Sequence, residues 1–72
     1  MTFNEIAKVQ KYLRDMFDNP RVKVHKRDQA SDSAEVTLGE EFIGVVYKDE
    51  DEGETSFAFH MAIIEEDLPE LN

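Results

Sequence analysis

"KDEDEGET", residues 48–55, decides the fold, because it reads either as a cation-binding loop between helices or as a turn between strands. It holds five acidic side chains and one glycine, with no apolar residue. A calcium loop of the EF-hand type needs oxygen ligands at alternate positions, glycine at the sixth and a bidentate glutamate at the twelfth. A frame opened at Asp49 puts Gly53 where a ligand belongs and His60 at the closing position. A frame opened at Lys48 starts on a cation and closes on Phe59. Neither frame works. The flanks, "FIGVVY" and "TSFAFHMAII", are rich in β-branched and aromatic residues, so the stretch reads as a hairpin turn in which Gly53 supplies a positive φ. Its charges also guard the segment that follows. "SFAFHMAII" has the apolar, proline-free profile of an aggregation-prone window, and "DEDEGE" and "EED" bracket it as gatekeepers.

Working outward, the chain before the turn supplies three more strands and a helix. "FIGVVY" is apolar on both faces, "AEVTL" alternates with Ala34, Val36 and Leu38 inward, and "RVKVHKR" alternates with Val22 and Val24 inward. "DQASDS" is a polar loop. Near the N-terminus, "TFNE" is a capping box, and Ile6, Val9, Leu13, Met16 and Phe17 recur at helical spacing as one apolar stripe. "DNP" ends that helix, because Pro20 restricts Asn19 to extended conformations. The connections between strands are too short for parallel crossovers. The expected fold is α+β in one domain, residues 1–72, with a helix packed on one face of a four-stranded antiparallel meander. The helix spans about 3–18, the strands about 21–27, 34–39, 42–48 and 55–64, and an acidic tail 65–72.

The register of the third strand sets which face is open. A two-residue loop at Glu40 and Glu41 pairs Leu38 with Ile43, Val36 with Val45 and Ala34 with Tyr47. Phe42, Gly44 and Val46 then point away from the helix, beside Ala58, His60, Ala62 and Ile64 of the last strand. Those seven residues form the expected interface. A three-residue loop reverses the parity and exposes the opposite set.

Composition bounds the chemistry. Seventy-two residues make a single small domain near the limit of what a hydrophobic core can hold, where a second subunit commonly helps. No cysteine is present, which removes disulfides and thiolate metal sites. No basic segment leads into an apolar run as in a secretory signal, and "FAFHMAII" is too short to span a bilayer, so a cytoplasmic protein without a membrane segment is expected. The net charge of −9 divides into +3 over residues 1–30 and −12 over residues 31–72. That sign argues against a polyanion partner and leaves room for a basic one.

The remaining constellations read mostly as structure. Arg21, Lys23, His25 and Arg27 make a cationic stripe for an anionic ligand or nucleic acid, but no aromatic residue interleaves it. The competing reading is a sheet edge whose lysines discourage pairing and whose cations face Glu35. His25 and His60 fall on the first and last strands, too far apart to share a metal. No serine sits in a nucleophile motif, no glycine-rich phosphate loop is present, and carboxylates on turns stay solvated. No catalytic residue, metal site or cofactor is expected. The tail "EEDLPELN" reads as a frayed end, with a docking segment anchored on Leu68 and Leu71, or a wrap over the sheet, as the other readings.

From the capped helix through "DNP" and "GEEFIGVVY" to "FAFHMAIIEEDL", nearly the whole chain resembles a family of short bacterial proteins, mainly alphaproteobacterial, catalogued as a domain of unknown function. "EFIGVVYKDEDEG" is the most specific part of the likeness. The resemblance implies a free-standing bacterial domain and brings no site or activity with it. The function expected from the residues is a non-enzymatic protein-interaction module that forms a weak homodimer or meets an unknown protein. The alternative is an anion- or nucleic-acid-binding module built on the basic first strand.

Overall fold

The helix begins where the capping box places it. In the computed structural model, which describes residues 1–29 and 31–71, helix α1 spans Phe3–Phe17. Ala30, in the expected loop, and Asn72, the last residue of the expected tail, lie outside the described residues. The Glu5 amide donates to the Thr2 hydroxyl at 3.1 Å, and the Thr2 amide donates to the Glu5 carboxylate at 2.9 Å. Two of the amides that a helix start leaves unpaired are thereby satisfied. The helix stops at Phe17 because Asp18 turns left-handed, at φ 51°, and the Asn19 amide donates back to the Arg14 carbonyl at 3.0 Å.

Four strands follow: β1 (Val22–Lys26), β2 (Ser33–Leu38), β3 (Glu41–Asp51) and β4 (Glu54–His60). They form one antiparallel sheet in the order β1-β2-β3-β4, the meander that the short connections require. The acidic stretch is the β3–β4 hairpin. Asp51 pairs with Glu54 across Glu52 and Gly53, whose φ values of 52° and 79° are both positive, as a type I′ turn demands.

The β2–β3 register differs from the expected one, and with it the face that β3 buries. The loop is Gly39–Glu40 rather than Glu40–Glu41, with Gly39 at φ 62° in the first central position of a II′-like turn and Leu38 opposite Glu41. Thr37 then pairs with Phe42 but Val36 with Gly44, so Ile43 is an extra residue, a β-bulge. Beyond it Ala34 pairs with Val46. Gly44 and Val46 therefore lie on the helix side, both buried, with Val46 only 1% exposed. The expectation that they point outward is corrected by this one inserted residue.

The bulge also ends the ladder to β4. The last pair is Val45 with His60, and the His60 carbonyl lies against Gly44, where a Cβ would come within 2.3 Å of it. Met61–Ile64, expected as strand, run on without regular structure to a single 3-10 turn at Glu65–Asp67.

The core is small. Ile6 and Leu13 from α1 pack on Val22, Val24, Ala34, Val36 and Val46, with Val9, Leu38, Ile43 and Phe59 partly buried around them. Of the expected stripe, Met16 and Phe17 are more than half exposed. The helix sits toward β1, where the Gln10 side chain accepts from the Val24 amide at 3.0 Å and Arg14 Nε donates to the Val22 carbonyl at 2.7 Å. Those two bonds hold α1 over one side of the sheet, and the helix ends before its last turn finds anything to cover. Among the described residues no helix is long and apolar enough to cross a membrane.

Candidate functional site

Because α1 leans toward β1, a groove opens between the helix and β4. Lys8, Val9, Tyr12, Leu13, Val46, Phe57 and Phe59 line it, around a volume of about 420 Å³. Its floor is apolar. Tyr12 is 60% exposed and Phe57 39%, so two aromatic rings stand at its rim with much of their surface in water.

The two edges of the sheet differ. On β1, Gln10 and Arg14 already occupy outward-facing backbone groups, Lys23 and Lys26 lie along the strand, and Lys26 stacks over the Phe3 ring at 4.7 Å. Lysines and a covering helix are standard protection against edge-to-edge pairing. On β4, "ETSFAFH", no lysine, proline or bulge intervenes, and every residue except Phe59 is exposed. Among the described residues no hydrogen bond reaches its outer side. β4 is an open edge.

The expected interface is dispersed. Gly44 and Val46 are withdrawn into the core, while Ala62 and Ile64 lie past the end of β4. Phe42, His60 and Ala62 do share a shallow outward depression with Val45 and Tyr47, and Ala58 pairs with Tyr47 on the same face. There the Tyr47 and His60 rings meet edge to face, with centroids 5.2 Å apart. Val45 and Tyr47, read as inward, are the residues that take the outward places.

The basic stripe is largely engaged. Arg27 approaches Glu35 at 3.9 Å and donates to the Ser33 hydroxyl at 3.3 Å, and His25 meets the Thr37 hydroxyl at 2.9 Å. Arg21 lies against Gly39 in the β2–β3 turn, so of the four Lys23 alone has no partner among the described residues. His25 and His60 lie on opposite edges of the sheet. Among the described residues no three His, Cys, Asp or Glu side chains gather as metal ligands.

At one end of the groove an ion pair fixes the helix to β3. Lys48 Nζ lies 2.7 Å from Glu5 Oε2, with each side chain only about a fifth exposed (21% and 23%). The Lys48 ammonium, and then the Thr2 amide, hold the Glu5 carboxyl down from 4.5 to about 2, while the Glu5 carboxylate pushes Lys48 up. A depressed carboxylate stabilises the fold above its unfolded value and loses that contribution as pH falls toward the folded one. Glu5→Gln keeps the capping box but not the charge. Its melting temperature should therefore fall less than that of the wild type between pH 4.5 and 2, read by circular dichroism melts at matched salt. Equal acid sensitivity would mean that the pair contributes nothing to stability.

A family model described as a protein of unknown function (DUF3126) matches residues 5–67, a span that takes in the groove, all four strands and the 3-10 turn. No curated protein and no solved structure matches the chain.

Proposed function

The chain belongs to the DUF3126 family, of unknown function, and from that premise we propose that it is a non-enzymatic protein-association module that self-associates. One observation carries the reading. None of the five phenylalanines lies in the buried core, which among the described residues is built from seven Ala, Val, Ile and Leu side chains. Fully burying a side chain of this size stabilises by about 1.5–3 kcal/mol, so a fold that leaves four of five phenylalanines exposed forgoes a large part of its hydrophobic gain. The surface agrees: the chain exposes 5992 Å², roughly 1,400 Å² more than scaling gives for a compact monomer of 8.3 kDa. A standard interface removes about 800 Å² from each partner, so the excess is more than enough to supply one interface. The proposed setting is a bacterial cytoplasm, in keeping with the sequence resemblance and with an acidic, cysteine-free chain.

Sedimentation velocity over a concentration series tests the proposal. The weight-average mass should rise above the monomer value of 8.3 kDa as concentration reaches the high micromolar range. A mass that stays at the monomer value throughout overturns it.

A further inference from the structure

We infer that the partner is a second copy of this chain, and that the two join antiparallel along β4, about a two-fold axis at Phe57, into one eight-stranded sheet. The inference rests on the self-association proposed above and adds its geometry. Among the described residues β4 is the edge without protection, while the backbone groups of β1 at Val22 and Val24 are already taken by Arg14 and Gln10. A β1-to-β4 contact would also propagate without closing, whereas an edge paired with itself closes at two copies.

Face parity then restricts the register. Directly opposed residues of an antiparallel pair lie on the same face of the sheet, so odd positions of β4 must meet odd positions and even must meet even. Thr55, Phe57 and Phe59 are on the helix side, because Phe59 pairs with the buried Val46 and Phe57 with Lys48, which binds Glu5 of the helix. Among the registers allowed, the one centred on Phe57 pairs the whole strand, Glu54 to His60. It brings Phe57 against the Phe57 of the second copy, Phe59 against Thr55 and Ser56 against Ala58. At both ends it sets Glu54 opposite His60, an acid facing an imidazole where most other charges near the hairpin tip are acids. The second Phe57 ring stands beside the rim of the groove and covers part of what Tyr12 and Phe57 expose. The two acidic hairpins extend toward opposite ends of the joined sheet, which keeps their like charges apart.

The absence of native cysteine gives a clean test. Directly opposed Cα atoms lie about 4.5–5.5 Å apart, within disulfide reach, whereas diagonal neighbours at about 7–8 Å are not. Ser56→Cys and Ala58→Cys are small, exposed changes on the face away from the helix. Mixed and mildly oxidised at a concentration where sedimentation shows dimer, the two variants should cross-link to each other, and neither should cross-link to itself. In the wild type, β4 amides directed away from β3 should exchange more slowly as dimer forms. A dimer with no mixed cross-link and unchanged β4 exchange overturns the edge geometry while leaving self-association standing. Cross-linking of Ala58→Cys with itself overturns the Phe57-centred register. A monomeric wild type overturns both this inference and the reading it rests on.

Discussion

Val46→Glu should abolish the cooperative melting transition at neutral pH. The side chain is 1% exposed, between Ala34 on β2 and Phe59 on β4, and it lines the floor of the groove with Leu13. Lys48, two residues along on the same face of β3, is already paired with Glu5, so a carboxylate at this position is buried without a cation of its own. The penalty for an unpaired buried charge is several kcal/mol even after the surroundings relax. A domain of this length has roughly 4–11 kcal/mol of stability in total, at about 0.05–0.15 kcal/mol per residue. The substitution consumes most or all of it. Val45→Glu is the matched control: Val45 pairs with His60 on the outward face and borders the shallow depression there, so that variant should keep its transition. Circular dichroism melts of the pair decide between the two registers of β3. A folded Val46→Glu beside an unfolded Val45→Glu would return the strand to the register expected from the loop alone.

The two registers separate what the residues disclose locally from what they do not. The helix start and the acidic turn were legible because each is set by neighbours in sequence: Thr2 and Glu5 cap each other, and Glu52–Gly53 take the two positive φ values that a type I′ hairpin needs. The face of β3 was not legible from alternation, since "FIGVVY" is apolar at both parities. A bulge chose between them. Gly44 is the trace of it in the sequence, because glycine within an apolar strand marks a bulge or a close backbone approach. A Cβ there would lie 2.6 Å from the Phe59 ring and 2.3 Å from the His60 carbonyl, so the crossing of Phe59 over β3 requires this residue. Gly39 carried a second trace, as the positive-φ residue that fixes the hairpin loop one place earlier. The groove was hidden for a different reason. Helical spacing shows that Val9, Leu13 and Met16 share a side, but not how far across the sheet that side reaches. That is set by Gln10 and Arg14 reaching the edge of β1, long-range bonds with no periodic signature.

Leu13→Ala should destabilise the domain by about 2–5 kcal/mol, the range for removing a buried leucine side chain. Leu13 is 7% exposed, belongs to the cluster with Ile6, Val22 and Val36, and forms part of the groove wall beside Tyr12. Where in that range the variant falls depends on what replaces the missing atoms. An enclosed void has no partner atoms on one side and costs the most. Here the lost volume adjoins an open groove of about 420 Å³, so water or the Tyr12 ring can move in, and the cost should lie in the lower half of the range. Even so, for a domain this small each kcal/mol lowers the melting midpoint by roughly 4–8 °C. The expected fall is therefore on the order of 10–20 °C, with a lower urea midpoint and an unchanged urea slope, because the helix still folds onto the same sheet. Measured at low micromolar concentration, the effect belongs to the monomer. In the dimer proposed above the effect should grow with concentration, since Leu13 supports the groove beside whose rim the second copy's Phe57 would stand. A variant that melts with the wild type at both concentrations would turn the helix stripe away from the sheet and remove the groove with it.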